Sequence, residues 1–543
     1  MRKLLFFIFF LSYTCTFSYT GEIIKFFDSP GKFPTGICFD GKNLWVADRE
    51  TDKLYCIDPE NGKIYRVIES PAYWPMGIAF DGKYLWNSDI RGLTDKSEDL
   101  DGMIFKIDPN DGTILKTLNA PTKSPIGLTF DGKYLWCIDD KADKVIQFSP
   151  IDGTTIKSFK APSPDVTGIC FDGKYLWISD RILDEIYMVD PETGLVLLIT
   201  DAPGKYVFGL ATDGNTLWAV DYQEDKIFQL KIRDDEKIYR KNPQYHKVVF
   251  THSVKCFGPG KIKTLDVNIA LAEDRDNQKI LEPISFNFTP TDILTDKWDQ
   301  KTAHFSFQNI KPGESINIQV TTIFKTYLVR YFIYPEFVGT LEQIPSDIKE
   351  KYLEDDEKYQ IYSDIIQKTV REVVGNEKNP YWIMRKIHQF VINHLTYLMD
   401  GMWDTAPTVI VNKHGSCSEY SFVFISLCRA AGLPTRYVGS TWIKKDEASL
   451  DEVYHRWVEV YLPNYGWVPT DPTHGDRELP RDQAYPIGYV SNSALITTQS
   501  CGASETLEWT YNSNIFYTTE PKTNVNITHF ADWEPVDKTK YEK

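Results

Sequence analysis

A short unit repeats five times in the first half of the chain, and no other feature restricts the fold as strongly. Each copy resembles GICFDGKYLWISD, in which an Asp-Gly pair separates two short apolar runs. An Asp-Gly turn between apolar runs is typical of a tight β-hairpin. A repeat of this length also predicts similar units stacked around a continuous core. The copies begin at Gly36, Gly77, Gly127, Gly168 and Gly209.

A second strand-like segment recurs between the hairpins. Its first copy, EIIKFFDSP, precedes the first hairpin, and no clear copy follows the last one. This order predicts a five-bladed β-propeller over residues 20–233, closed by pairing of residues 22–28 with a strand near residues 227–232. The sequence KIYR returns at residues 237–240, which leaves a sixth, degenerate blade open.

Each hairpin carries a Trp and an Asp at equivalent places. We expect the Trp side chains to pack between blades and the Asp side chains to accept turn N–H groups. A ring of carboxylates that binds a cation or ligand is the alternative. The five pairs are Trp45 and Asp48, Trp86 and Asp89, Trp136 and Asp139, Trp177 and Asp180, and Trp218 and Asp221.

The second repeat contains an insertion that loosely follows the spacing of a calcium loop. Ser stands where such a loop begins with Asp, and Asp stands where it ends with Glu, so we expect a solvated blade loop and no metal site. The residues concerned are Ser97, Asp99, Asp101, Gly102 and Asp108.

Residues 1–18 have the layout of a cleaved signal peptide, with Arg2 and Lys3 before a short apolar run. Modification of Cys15 by lipid is the less favoured alternative, because Tyr13 fits that signal badly. No later segment is apolar for long enough to span a membrane. We therefore expect a secreted, periplasmic or cell-surface protein. Its formal charge of -16 argues against nucleic acid as a partner.

The remaining chain divides by its periodicity. A charged linker is predicted at residues 234–244, and alternating apolar runs predict an Ig-like β-sandwich at residues 245–343. Helical spacing then begins and indicates an α+β domain over residues 344–500, followed by a C-terminal extension at residues 501–543. The nine cysteines are scattered, and we propose no disulfide pairing.

The candidate chemistry lies in the α+β domain. Cys417 directly precedes an apolar helix that ends at Gly432, and a thiol at a helix N-terminus has a lowered pKa. His455 opens the strand-like run HRWVEVYL, and Asp471 ends the next one. Two adjacent antiparallel strands would place these two side chains together. Cys417, His455 and Asp471 would then be the nucleophile, base and orienting group of a thiol triad.

Three ordered motifs resemble the transglutaminase-like superfamily, whose core has the papain-type arrangement. They are GSCSEYSFVFISLCRAAGLPTRYVG, HRWVEVYLPNYGWVPTDPT and the preceding helix RKIHQFVINHLTY. The resemblance implies that Cys417 attacks a glutamine side-chain or peptide amide, that His455 transfers the proton and that Asp471 holds the imidazole. It implies a thioester that passes to water or to an amine, without a cofactor.

Several points stay open at this level. Trp457 is a tentative substrate-binding residue, although a buried sheet Trp is as compatible with the pattern. His414 and His474 lie close to the motif residues, and His455 is preferred for its strand context. The expected partners are a protein or peptide substrate and, for the propeller, a cell-surface protein or glycan. A binding scaffold without turnover is the alternative function.

Overall fold

The computed structural model describes residues 19–90, 102–233, 236–444 and 449–542. The predicted signal peptide and most of the insertion in the second repeat lie outside these ranges. The chain divides into two compact units. The first comprises residues up to 193 and residues 200–237, and the second comprises residues 194–199 and 238–543.

In residues 19–90 and 102–233 the elements of the repeat region are all strands. They are β1 (Ile23–Asp28), β2 (Pro34–Phe39), β3 (Leu44–Asp48), β4 (Lys53–Ile57), β5 (Ile64–Glu69), β6 (Pro75–Phe80), β7 (Leu85–Asp89), β8 (Met103–Ile107), β9 (Ile114–Asn119), β10 (Pro125–Phe130), β11 (Leu135–Asp139), β12 (Lys144–Phe148), β13 (Thr155–Lys160), β14 (Val166–Phe171), β15 (Leu176–Asp180), β16 (Glu185–Val189), β17 (Val196–Asp201), β18 (Val207–Thr212), β19 (Thr216–Asp221) and β20 (Lys226–Lys231).

Within the described part of the repeat region, these strands make five four-stranded antiparallel sheets in a propeller-like arrangement. Strands β2 to β17 form four of them in chain order, and β18 to β20 form the fifth together with β1. The predicted closure is confirmed, because β1 pairs antiparallel with β20 and Phe26 lies opposite Phe228.

The repeated glycine explains how the sheets meet. A Cβ on Gly36 would lie 2.3 Å from the carbonyl oxygen of Met76, and one on Gly77 would lie 2.4 Å from the backbone nitrogen of Leu128. Gly209 approaches Gly36 in the same way and completes the cycle. The innermost strands therefore come too close for a side chain at this position, which only glycine permits.

The Trp and Asp side chains behave as the repeat predicts. Trp45 packs with residues of the following sheet, including Ile78 and Phe105. Asp48 accepts hydrogen bonds from the backbone N–H groups of Phe33, at 2.7 Å, and Thr51, at 2.9 Å. The Asp at the equivalent place in each other repeat also accepts backbone N–H groups. These carboxylates are therefore used within the turns.

The Asp of each Asp-Gly turn has a second use. Its carboxylate accepts the indole N–H of the Trp five residues later, at 2.9 Å for Asp40 and Trp45. The same bond recurs in the other four repeats. The Asp side chain thereby links the turn to the core, because its carboxylate accepts the only N–H group of a buried Trp side chain.

The second unit adds longer strands and short helices. Its strands are β21 (Ile238–Phe257), β22 (Ile262–Ala270), β23 (Gln278–Ile280), β24 (Ser285–Phe286), β25 (Asp292–Thr295), β26 (Lys301–Ile310), β27 (Ser315–Tyr331), β28 (Thr396–Tyr397), β29 (His414–Gly415), β30 (Thr435–Trp442), β31 (Ser449–Asp451), β32 (His455–Leu462), β33 (Gly466–Thr470), β34 (Tyr489–Val490), β35 (Ala494–Ser500), β36 (Ser513–Thr519) and β37 (Asn524–Pro535). Its α-helices are α1 (Ser346–Tyr352), α2 (Asp364–Val373), α3 (Pro380–His394), α4 (Ala406–Asn412), α5 (Cys417–Ala430) and α6 (Pro480–Ala484), and its 3-10 helices are Pro335–Phe337, Leu341–Gln343 and Lys538–Lys540.

Two antiparallel sheets pack as a sandwich in this unit. One has the strand order β23-β27-β21-β37-β31, and the other has the order β25-β26-β22-β36. Apolar side chains from both sheets share one core, with Trp533, Phe305 and Phe324 among its buried residues. The Ig-like topology of this sandwich stays a prediction.

The structure corrects three of the predicted boundaries. Strand β21 begins at Ile238, so most of the predicted linker, residues 234–244, is strand, and KIYR belongs to the sandwich rather than to a sixth blade. The predicted C-terminal extension, residues 501–543, supplies β36 and β37, one for each sheet. The sandwich is therefore not confined to residues 245–343. The long strands of the sandwich bury their apolar faces only when β36 and β37, which are distant in sequence, pair with them.

The helices pack on a second, smaller sheet with the order β33-β32-β30-β35. Helix α5 is buried along almost its whole length and lies against β30, β32 and α3. Asn379 caps the N-terminus of α3 and accepts the backbone N–H of Tyr381 at 2.9 Å. Among the described residues, no helix is both long and apolar enough to cross a membrane.

Candidate active site

Helix α5 begins at Cys417 because the residues around it form a capping box. Ser416 is the N-cap, and its side chain accepts the backbone N–H of Glu419. The Glu419 carboxylate in turn accepts the backbone N–H of Ser416 at 2.6 Å. The cap fixes the thiol at the first helical position, where the helix dipole favours the thiolate.

His455 and Asp471 lie together, as the strand order predicts. His455 opens β32, Asp471 follows the end of the paired strand β33, and Nε2 of His455 donates to Oδ2 of Asp471 at 2.6 Å. The other carboxylate oxygen accepts the backbone N–H groups of Thr473, at 3.0 Å, and His474, at 3.1 Å. These bonds hold Asp471 in place while it orients the imidazole.

Cys417 and His455 line the same cleft, and each shifts the pKa of the other. Burial raises the pKa of the thiol, but His455 and then Arg456 outweigh burial, so that the pKa of Cys417 is lowered. Burial disfavours the charged imidazole, but Asp471 and Cys417 raise the pKa of His455 to about 10. Both shifts favour a thiolate next to an imidazolium, which is the reactive form of a thiol nucleophile.

The carboxylate completes this charge arrangement. Burial favours its protonated form, but His455 and then His474 outweigh burial and hold the pKa of Asp471 well below its usual range. The three predicted residues are therefore brought together in the order Cys417, His455, Asp471. Their geometry permits proton transfer between sulfur and imidazole next to a fixed negative charge.

His474 is part of the surroundings of this group, which the sequence did not indicate. Its Nδ1 lies 2.9 Å from the same carboxylate oxygen that His455 contacts, and its ring stacks on His455 with centroids 4.7 Å apart. Its position three residues after Asp471, in the loop that Asp471 opens, is a signal that could have revealed the contact. His414 instead faces Asp400, at 3.6 Å.

The tentative role of Trp457 in binding substrate is not supported. Trp457 is 4% exposed and stacks against His455, with centroids 5.7 Å apart. Trp442 lies edge-on to both rings and lines the open cleft. Trp457 lies on the same face of β32 as His455, two positions further along, and the rings of His455 and Trp442 pack against it. Its place is behind the imidazole rather than in the cleft.

The cleft that reaches Cys417 has a volume of about 510 Å³. Its walls are mostly aromatic and apolar, with Tyr397, Trp403, Trp442, Tyr454 and Tyr511 among the lining residues. A larger cavity of about 720 Å³ lies elsewhere in the second unit, next to Glu459. Arg275 and Arg436 neutralise this glutamate at 2.5 and 2.7 Å. Of these two cavities, only the smaller one is lined by Cys417 and His455, so we assign the candidate site to it.

Other candidate residues serve the core. His388 is buried, and burial together with Arg385 lowers its pKa to about 3, so it is neutral at physiological pH. Burial raises the pKa of the Cys428 thiol on α5. All cysteines in the described ranges are buried and unpaired, in keeping with the absence of a recognisable disulfide pattern.

One group in the described residues has the spacing of metal ligands. Ligand-type atoms of His455, Asp471 and His474 lie within 4.8 Å of one another. The hydrogen bonds from both rings to the carboxylate account for this proximity. We therefore assign these residues to the hydrogen-bond network and not to a metal.

The comparison with protein families agrees with the site. Residues 367–472 match the model of the Transglutaminase-like superfamily. This part of the chain is thus a transglutaminase-like domain, which the three motifs predicted. The match includes the three site residues, and members of this superfamily with such a site are cysteine-dependent enzymes.

Two bacterial proteins are similar to parts of the chain. The uncharacterized protein YebA of Bacillus subtilis (strain 168) is 42% identical over 73 residues, which are 12% of this chain and 10% of that protein. An uncharacterized protein of Haemophilus influenzae (strain ATCC 51907 / DSM 11121 / KW20 / Rd) is 28% identical over 131 residues, 20% of this chain and 35% of that protein. The chain thus spans about a tenth and about a third of these relatives.

Solved structures show more distant similarity. A proposed cysteine protease from Cytophaga hutchinsonii is 15% identical with a TM-score of 0.38, over 54% of this chain and 92% of that one. Glutaminyl cyclase from Myxococcus xanthus is 14% identical with a TM-score of 0.34, over 39% and 95%. Virginiamycin B lyase from Staphylococcus aureus is 24% identical with a TM-score of 0.24, over 38% and 68%.

Proposed function

We propose that the protein is an exported thiol enzyme that acts on protein or peptide amides through a thioester on Cys417. The observation that carries this proposal is that His455, which hydrogen-bonds with Asp471 at 2.6 Å, lines the same cleft as the Cys417 thiol. A buried thiol of structural origin needs neither partner. The cleft of about 510 Å³ has room for an amide-bearing side chain or a short peptide segment.

The reaction follows from the arrangement of the three groups. The Cys417 thiolate attacks the amide carbonyl carbon and forms a C–S bond, while the oxygen takes up the negative charge. Backbone N–H groups at the start of α5, including that of Cys417, stabilise this oxyanion. His455 gives its proton to the leaving nitrogen, the C–N bond breaks, and a thioester remains.

The thioester is then transferred to a second nucleophile. Water or an amine attacks the acyl carbon as His455 takes up its proton, and the C–S bond breaks to return the thiolate. Asp471 keeps the imidazole oriented in both steps. Hydrolysis and acyl transfer differ only in the nucleophile that enters the cleft.

The repeat region has a separate task in this proposal. The five sheets act as a β-propeller that binds a protein or a glycan of the cell surface and brings the transglutaminase-like domain to its substrate. The signal-like pattern of residues 1–18 supports export. The net charge of -16 favours partners other than nucleic acid.

Alkylation of Cys417 by iodoacetamide tests the central claim. We expect wild-type Cys417 to react near pH 6 at least tenfold faster than an ordinary thiol of pKa about 8.5, because only the thiolate is alkylated. His455→Ala should remove most of this advantage. His414→Ala is the matched control, since His414 is close in sequence but pairs with Asp400. The proposal fails if wild-type Cys417 reacts like an ordinary thiol and His455→Ala leaves the rate unchanged.

Incubation with casein and a labelled primary amine separates the two reaction types. Incorporation of the amine indicates acyl transfer, and release of peptides or ammonia without incorporation indicates hydrolysis. Loss of both products in Cys417→Ser is expected for either reaction. Fast alkylation of Cys417 without any product from a panel of proteins would favour the binding scaffold.

A further inference from the structure

Arg456 occupies an unusual environment next to His455. Its side chain is fully buried, and four aromatic rings surround the guanidinium. Its central carbon lies 4.2 Å from the ring centroid of Tyr437 and 4.4 Å from that of Tyr511. Trp403 and Phe422 complete the group at 5.0 and 5.2 Å. We refer to these four rings as the aromatic cage.

The hydrogen bonding of Arg456 is incomplete. One nitrogen donates to the carbonyl oxygen of Trp509 at 2.6 Å. The Nε and Nη1 atoms have no hydrogen-bond partner among the described residues. No carboxylate pairs with this guanidinium in the ion pairs of the described chain, whereas the buried Arg436 of the adjacent strand contacts Glu459. The charge of Arg456 is therefore left without a counter-ion inside the domain, where such a charge is costly.

The cage also lies next to the candidate nucleophile. Trp403 and Tyr511 of the cage line the same cleft as Cys417. The charge of Arg456 also lowers the pKa of the thiol. Phe422 lies on the same helix as Cys417, and the Tyr511 hydroxyl donates to the carbonyl oxygen of Tyr454 at 3.3 Å at the edge of the same cleft. Gly439 leaves room for this tyrosine, because a Cβ there would lie 2.6 Å from that of Tyr511.

We propose that Arg456 is a positioning residue whose buried positive charge stabilises the Cys417 thiolate and thereby supplies the counter-ion that the guanidinium lacks. This inference rests on the function proposed above. The rings keep the guanidinium away from water, which leaves its field unscreened, and cation–π attraction offsets part of its burial. The other titratable groups that face the thiol are His455, Tyr397 and Tyr511.

The alternative is that Arg456 only fills the space between the rings. Arg456→Met keeps much of the apolar volume without charge, and Arg456→Gln keeps a donor for the Trp509 carbonyl without charge. Arg456→Lys keeps the charge. The pH profile of Cys417 alkylation by iodoacetamide separates the two roles, because a space-filling side chain does not set the pH at which a neighbouring thiol ionises.

We expect Arg456→Met and Arg456→Gln to slow alkylation roughly tenfold near pH 6 and to move the inflection of the profile upward by about one pH unit. Arg456→Lys should restore the rate to within about threefold of wild type, since an ammonium also attracts a thiolate. Arg436→Met is the matched control. It removes another buried arginine from the same sheet and should leave the profile unchanged.

Three results would overturn the inference. The first is a wild-type profile in a folded Arg456→Met variant. The second is an equal shift in the Arg456→Lys variant, because the charge would then be irrelevant. The third is failure of both neutral variants to fold, which would assign Arg456 to the packing of the domain. The proposed function fails separately, through slow alkylation of wild-type Cys417 and no effect of His455→Ala.

Discussion

Replacement of Asp471 by asparagine is the most informative single change, because all four contacts of its carboxylate are with donors. Oδ2 accepts His455 at 2.6 Å and faces His474 at 2.9 Å, and Oδ1 accepts the backbone N–H groups of Thr473 and His474. An asparagine accepts with only one of its two terminal atoms. If its oxygen faces the backbone, its NH₂ group faces Nε2 of His455 and forces the proton of that ring to Nδ1.

That proton would then point at the thiol, and the imidazole could no longer accept the thiol proton. The lost bond to a charged partner is worth about 1.5–3 kcal/mol by itself. The same replacement in a serine-protease triad lowers kcat about 10⁴-fold. We therefore expect kcat/KM to fall roughly 10²–10⁴-fold, which corresponds to about 3–5.5 kcal/mol of transition-state stabilisation.

The assay is amine incorporation into casein or peptide release from it, whichever the wild type performs. Alkylation of Cys417 near pH 6 should slow in parallel. Asp476→Asn serves as the control, because Asp476 accepts the Tyr420 hydroxyl at 2.9 Å and has no contact with His455 in the described hydrogen bonds. If Asp471→Asn keeps activity within about threefold of wild type, the orienting role of the carboxylate is wrong.

Three further predictions concern charge and packing. Glu459→Ala leaves the buried Arg436 and the half-buried Arg275 without their partner and should lower the free energy of unfolding by roughly 3–5 kcal/mol in urea titrations, whereas an unchanged midpoint would contradict the pairing. Asp172→Asn weakens the bond to the Trp177 indole and should cost roughly 1–3 kcal/mol in the repeat region, seen as earlier exposure of tryptophan fluorescence in denaturant. The pKa of His455 is raised to about 10, so the stability that this group contributes is complete below its unfolded pKa of 6.5 and is lost as the pH rises through 10. Thermal unfolding should therefore show a decrease in Tm between pH 6.5 and pH 10 that is smaller in the Cys417→Ser variant, which lacks one of the two negative partners of the imidazolium.

The features that the sequence predicts well are local or repeated. The hairpins follow from the Asp-Gly turns. The closure of the ring follows from the extra strand before the first hairpin and the missing strand after the last one. The approach of His455 to Asp471 follows from two adjacent strands and one turn. In each case the sequence of a short segment is enough to predict its local structure.

Long-range pairing and side-chain direction could not be predicted in this way. Strand β37 pairs with β21, although most of the sequence of the second unit lies between them. The sequence of neither strand indicates which strand it pairs with. Trp457 and Arg456 alternate on one strand, but the alternation alone does not say which side holds the cleft or where an aromatic cage forms. The role of His474 depends on the loop after Asp471, whose course has no periodic signal.

The pairing of β21 with β37 also has a consequence for how the chain folds. Thr251 lies opposite Phe530, so the sandwich begins before the transglutaminase-like domain and is completed only after it. During synthesis β21 has an unpaired edge until β37 leaves the ribosome. Contacts of such long sequence separation slow folding and expose strand edges to aggregation. Deletion of β37 should therefore leave the sandwich open, even though every site residue would be present.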